Sequence, residues 1–243
     1  MKTLLSWSGG KDSALALDAL RRGGEHDVAG LMTTLSADHQ RVSMHGVRIE
    51  LVREQARQLA LPLLCVEMPP YRNDASDDAQ ACPLDLPGNN TYEAAMLAAF
   101  ARAREDGVEA IAFGDIFLED LRDYRERLLA HAGLRGIYPL WQRETHELLQ
   151  RFIDDGWRAI VVCTDGERLP RSWSGREIDA RFAAELPGAI DPCGERGEYH
   201  SFVYDGPLFS SPIAFEKGAV VERAPFAFCE LLVVRTDADL ALA

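Results

Sequence analysis

The chain predicts an α/β fold, with a parallel sheet over residues 1–135 followed by a smaller C-terminal α+β domain over 136–243. Three observations predict it. Short apolar runs alternate with segments of helical period through the first part, which is the pattern of βαβ units. A glycine-containing turn, Ser8 to Ser13, joins the first run to the first helical segment. Beyond residue 136 the texture changes, and from Val203 to Val234 short strands are broken by Asp205-Gly206, Lys217-Gly218 and Pro225, which suggests antiparallel hairpins.

The elements follow in order. Thr3 to Trp7 reads as the first strand, and a helix from about Asp12 ends at Arg21-Arg22-Gly23-Gly24, where basic residues and then glycine make a natural stop. Val28 to Leu35 is the second strand. Val47 to Leu59 is a helix with Ile49, Val52, Ala56 and Leu59 on one face and Pro62 just beyond it; Leu63 to Glu67 is the third strand. Residues 69–90 are rich in Pro, Asp, Asn and Gly, exceed the usual connection length, and read as a lid near a ligand. Thr91 to Asp106 repeats Tyr92, Ala95, Ala99 and Ala103 at helical spacing, and Ala110 to Phe113 is the next strand, ending in Gly114-Asp115. A helix over Leu118 to His131 precedes the change of texture. Gly136 to Trp141, a helix over Glu144 to Asp154 and a strand over Ala159 to Cys163 read as one further α/β segment.

Composition narrows the classes. With 47% hydrophobic and 27% charged residues in 243, the chain can bury a sizeable core. A formal charge of −13, from 39 acidic and 26 basic residues, repels polyanions, and no basic stripe offsets it, so no nucleic-acid partner is expected. No apolar run serves as a signal peptide or reaches the roughly eighteen residues that cross a bilayer. Cys65, Cys82, Cys163, Cys193 and Cys229 stand far apart, with neither zinc-type pairs nor a disulfide framework. Reduced thiols and a cytoplasmic location are the expectation.

Ser8-Gly9-Gly10-Lys11-Asp12-Ser13 lies where a helix begins, and there backbone N–H groups and the helix dipole favour an anion. Two glycines allow close backbone approach, Ser8 and Ser13 offer hydroxyls, Lys11 a charge, and Asp12 a ligand for magnesium or a helix cap. A Walker loop does not fit, because Leu5 stands where its first glycine is needed and Asp12 follows the lysine.

This hexad resembles the PP-loop of the N-type ATP pyrophosphatases, and the whole chain resembles the diphthine-ammonia ligase family. The supporting pieces are Ser43-Met44-His45-Gly46, Phe113-Gly114-Asp115-Ile116, Tyr138-Pro139-Leu140-Trp141, Asp191 to His200, and Asp205-Gly206-Pro207-Leu208, in family order along nearly the whole sequence. Glu195-Arg196-Gly197-Glu198 stands where archaeal and eukaryotic members carry a Glu-Gly-Gly-Glu type sequence, which is similar to the bacterial-type branch. Diphthamide belongs to archaeal and eukaryotic elongation factors, so this departure leaves the ATP chemistry implied and the acceptor open. The resemblance implies a Rossmann-like, doubly wound, five-stranded parallel sheet of the adenine nucleotide alpha hydrolase type, with ATP at the carboxyl ends of the strands. It also implies that backbone at Thr33 and Thr34 grips the adenine.

On these grounds Ser8, Gly9, Gly10, Lys11, Asp12, Ser13, Thr33, His45, Gly114 and Asp115 are expected at the nucleotide, and Asp12, Glu195, Glu198 and His200 at the chemistry, with Asp12 also on magnesium. Asp115 could equally cap the following helix, and from the residues alone Glu195 and Glu198 could be solvated loop acids. Trp141 and Trp173 could stack on a ligand or pack in the core. The function expected is an ATP-dependent carbon–nitrogen ligase that adenylates a carboxylate, releases pyrophosphate and transfers ammonia. Its partners would be ATP, ammonia and an unidentified carboxylate acceptor, either a small molecule or a protein side chain, with no membrane and with homo-oligomerisation open. The alternatives are a module that binds ATP or AMP without turnover and a PP-loop tRNA-modifying enzyme, although the latter's paired cysteines or basic RNA domain are not seen. Substituting Asp12 or Ser13 with alanine is expected to abolish nucleotide binding or turnover with little loss of stability. Glu198→Gln is expected to separate ATP binding from turnover.

Overall fold

The computed structural model describes residues 1–36, 41–42, 46–68 and 90–234. The expected lid over 69–90 therefore lies almost wholly outside the described residues, as does His45. The first sheet comprises Lys2–Ser6 (β1), Asp27–Ser36 (β2), Arg41–Val42 (β3), Leu63–Met68 (β4), Ala110–Ala112 (β5) and Arg135–Ile137 (β6). Five of these strands run parallel in the order β4-β2-β1-β5-β6, and the two-residue β3 adds antiparallel to the end of β2. The strand order reverses at β1, so the crevice between the carboxyl ends of β1 and β5 is the place where open sheets of this kind receive ligands.

Alternation along the strands divides the apolar residues between two faces. Leu5, Leu31 and Ala112 join one core, and Leu4, Met32 and Ile111 the other. On the first face lie the helices Lys11–Gly23 (α1) and Ile49–Gln58 (α2); on the second lie Asn90–Glu105 (α3) and Glu119–Ala132 (α4). The sheet is thus doubly wound, as expected.

The second sheet is antiparallel, in the order β8-β7-β10-β9, from Arg158–Asp165 (β7), Tyr199–Asp205 (β8), Phe215–Arg223 (β9) and Phe226–Val233 (β10). Thr145–Asp154 (α5) and Ala180–Glu185 (α6) complete the described helices. The core on the α1 face continues without a break into this part, through Leu148, Phe152, Ile160 and Phe202. Two details depart from the sequence reading. Lys217-Gly218 does not break a strand; it lies inside β9, where a bulge sets Gly218 against Glu230 and shifts the register between Cys229 and Leu231. Residues 136–163 are not a single α/β segment either, because β6 completes the first sheet and β7 opens the second.

Candidate functional site

The loop between β1 and α1 is fixed from two directions before any ligand is considered. Gly9 adopts φ +81°, a conformation that favours glycine, and a Cβ there would stand 2.8 Å from Gln55 Oε1. The carbonyl of Gly9 accepts from Gln55 Nε2 at 2.9 Å and from the Val203 N–H at 2.9 Å. Gln55, fully buried on α2, also donates to the Val203 carbonyl at 2.6 Å and accepts from Trp7 Nε1 at 2.8 Å. Gly10 is the residue before α1 and has no side chain with which to cap the helix. The first backbone N–H of α1, that of Lys11, donates to Ser201 Oγ on β8 at 3.1 Å. Ser13 Oγ donates to the Gly10 carbonyl at 2.8 Å and lies 3.4 Å from Ser8 Oγ. Behind the helix start, a Cβ on Gly114 would come within 2.9 Å of the Asp12 backbone, so only glycine lets the end of β5 approach this closely.

Around this loop stand three carboxyl groups whose protons are held more tightly than usual. Asp12 has its pKa raised by burial and by the charge of Asp191, against the pull of Lys11. Burial also raises Asp115, as does Asp12, although Arg125 Nη1 donates to both of its oxygens at 2.8 and 2.6 Å. Glu195 is pushed up to about 7 by burial, then by Asp12 and Asp115, while the Ile116 N–H that it accepts at 2.7 Å opposes the shift. Asp12 raises Asp115, and both raise Glu195, so negative charge crowds the crevice although Lys11 and Arg125 each pair with one carboxyl group. Among the described residues no three His, Cys, Asp or Glu side chains lie close enough to enclose a metal ion by themselves.

A model of the diphthamide synthase N-terminal domain matches residues 1–136, and one of the diphthamide synthase C-terminal domain matches residues 144–229. The chain belongs to this family. Among relatives, it is similar to the diphthine–ammonia ligase of Schizosaccharomyces pombe at 26% identity, over 96% of this chain and 39% of that one. It is also similar to those of Bos taurus, at 27% over 94% of this chain and 88% of the other, and Homo sapiens, at 26% over the same shares. The chain thus spans about two fifths of the fission yeast relative and most of the two mammalian ones. Of solved structures, the U34-tRNA thiolase of Methanococcus maripaludis, with its 4Fe-4S cluster, superposes with a TM-score of 0.37 at 17% identity, over 63% of this chain and 55% of the other.

Within this family fold, the structure gathers Ser8 to Ser13, Gly114, Asp115 and Glu195 at the carboxyl ends of β1 and β5. Lys11, expected at the nucleotide, is turned into the protein. It is 2% exposed, and its Nζ donates to the Cys193 carbonyl and to both oxygens of Asp12, 5.2 Å from the centre of the Tyr199 ring. Burial would lower its pKa, but Asp12, with Tyr199 and Cys193, holds it above the ordinary range, so the buried ammonium stays charged. Glu198 also turns inward, accepting from the Asp191 N–H at 3.2 Å and the Arg196 N–H at 3.0 Å, and so ties the glycine-rich loop to itself. Ser201 reaches the loop from β8, and alternation puts His200 on the opposite face of that strand. Thr33 is buried on β2, and among the described residues its Oγ1 has no hydrogen-bond partner. Trp173 packs edge-on to Phe182 in the core. Sequence reasoning missed Gln55, Ser201, and the Arg125 partner of Asp115. Gln55 did leave a signal, because it is a polar residue beside Ala56 on the apolar face of α2.

Proposed function

We propose that this chain is an ATP-dependent ligase that adenylates a carboxylate and converts it to an amide with ammonia. The observation that carries the reading is the glycine-lined start of α1 at the strand-order switch, where Gly10 brings no capping side chain of its own, with the Glu195 carboxyl nearby. Thr33, with its unpartnered hydroxyl on β2, supports an adenine site on that side of the sheet; the phosphates would then lie over the α1 start and the acceptor toward β5 and β6.

The acceptor carboxylate oxygen attacks the α-phosphorus of ATP, forming one P–O bond as the bond to the β-phosphate breaks and pyrophosphate leaves. Ammonia then attacks the acyl carbon, the C–O bond to AMP breaks, and one N–H proton must be taken up. Glu195, with its pKa near neutrality, suits that proton. Asp12 and Ser8 keep the open edge of the loop, and Lys11 holds Asp12 and the Cys193 segment in register from within. Asp12 would hold magnesium, with Asp115 or Glu195 as a second carboxylate, and the ion would supply charge neutralisation for the departing pyrophosphate. His200 and Glu198 act on this scheme only through the loop and strand they belong to.

The test is incorporation of nitrogen from labelled ammonium into an amide, with ATP, magnesium and a panel of carboxylic acids. Label in an amide that depends on ATP supports the reading; AMP release without any amide from any acid would leave only nucleotide hydrolysis.

A further inference from the structure

Beyond Asp115, the carboxyl ends of β5 and β6 hold a cation that the scheme above leaves unused. Arg122 lies in the first turn of α4, with its guanidinium carbon 4.7 Å from the centre of the Tyr138 ring and 4.5 Å from that of Trp141. The two rings are themselves 5.9 Å apart and inclined at 64°, and Tyr138 stacks in turn on Phe113 at 5.6 Å. Among the described residues Arg122 has no hydrogen bond or ion pair, whereas Arg125, one turn on, is already matched to Asp115. The two ring centres subtend about 80° at the guanidinium carbon, so Arg122 rests in the angle between the rings, and the edge of its guanidinium turned away from them can meet a carboxylate with two N–H groups.

The position of this fork is set by the chain around it. The Gln142 N–H donates to the Ile116 carbonyl at 2.7 Å, and the Ile116 N–H donates to Glu195, so the Trp141-Gln142 segment abuts the Glu195 side of the crevice. Arg122, over the Trp141 ring, is thereby tied to the same Ile116 segment whose N–H Glu195 accepts. A carboxylate gripped there by a guanidinium is a poor nucleophile, and the group to be adenylated must reach the α1 start instead. Two separated requirements, a free carboxylate at one end and a counter-charge for Arg122 at the other, point to one acceptor with two acid groups.

We propose that Arg122, held against the edge-on pair Tyr138 and Trp141, binds a second carboxylate of the acceptor, so that the acceptor is a dicarboxylic acid activated at its far end. This rests on the ligase reading for the role of the first carboxylate, but its test needs no turnover. The protein is saturated with α,β-methylene-ATP, and succinate, glutarate, adipate and their monoamides are titrated in by calorimetry. At least one diacid should bind roughly tenfold or more tighter than its monoamide. Arg122→Gln and Arg122→Lys should both erase that preference, the lysine because it keeps the charge but not the fork. Affinity for α,β-methylene-ATP should change by less than about threefold in both variants, which also reports that they fold. Arg143→Gln, which removes a charge from an exposed neighbouring position, should keep the preference. Equal affinity of diacids and monoamides for the wild type, no binding of any diacid, or a preference that survives in Arg122→Gln would overturn the proposal. A diacid that binds as described without ever yielding an amide would instead count against the ligase reading alone.

Discussion

Glu195 connects folding and chemistry through a single proton. Its pKa rises from 4.5 to about 7 in the folded chain, so between those values the folded state keeps a proton that the unfolded chain has released. Stability from this group therefore falls as pH climbs from about 4.5 to about 7, by an upper figure of about 3 kcal/mol. Glutamine can still accept from the Ile116 N–H and carries no charge to bury. Glu195→Gln should accordingly melt higher than the wild type at pH 8 and alike at pH 4 by calorimetry, and no difference at pH 8 would show that the carboxyl is not held back in this way. At a fixed concentration of free ammonia the rate of amide formation should rise with pH through about 7, and the variant should lose that limb and roughly a hundredfold in kcat. Asp12 is a less clean probe than the sequence implied, because Asp12→Ala leaves the buried Lys11 ammonium short of a partner and should cost about 1–3 kcal/mol of stability. Ser13→Ala should lose nucleotide affinity with much less damage. At this scale the hexad was legible because its residue types announce a helix start that favours anions. The inward turn of Lys11 and Glu198 was not, because orientation is decided by partners such as the Cys193 carbonyl, 182 residues from Lys11.

The elements were legible wherever one residue pattern sufficed. β1, β2, α2 and β4 follow apolar periodicity to within a residue or two, and the α1 stop at Gly23-Gly24 follows its capping signal. What required tertiary structure was how elements meet. Gly218 looks like a turn signal in sequence, yet it accommodates a bulge against Glu230; the partner strand decides which. Gly114 looks like part of a ligand motif, yet its lack of a Cβ is what lets β5 touch the α1 backbone. Gly114→Ala should therefore push the α1 start away, lowering nucleotide affinity about tenfold or more and stability by about 1–3 kcal/mol, measured by ligand titration and thermal melting. Gln55→Leu leaves the Trp7 Nε1–H and the Gly9 and Val203 carbonyls each without their Gln55 partner, and it should weaken nucleotide binding even though Gln55 itself does not face the crevice. Unchanged affinity in Gln55→Leu would mean that the loop holds its shape without α2.

Over the whole molecule, the α/β reading and the doubly wound sheet were foreseen, while the grip of the second sheet on the first was not. β8 contributes Val203 and Ser201 to the α1 loop, and Asp18 on α1 accepts from Arg151 on α5 at 2.7 Å. One apolar core runs from Leu5 and Leu17 to Phe152 and Phe202. Sequence texture shows where composition changes, but not that both sides share a core, since that is a matter of contacts between distant residues. A single calorimetric transition is expected for the full chain, and two resolved transitions would show the halves unfolding independently. The shared core would let carboxylates from both parts act on the one nucleotide of the proposed reaction. Phosphorus NMR of ATP, magnesium, ammonium and an accepted acid incubated with the protein tests it most directly. AMP and pyrophosphate should accumulate in equal amounts, and a steady yield of ADP and phosphate would contradict cleavage between the α- and β-phosphates.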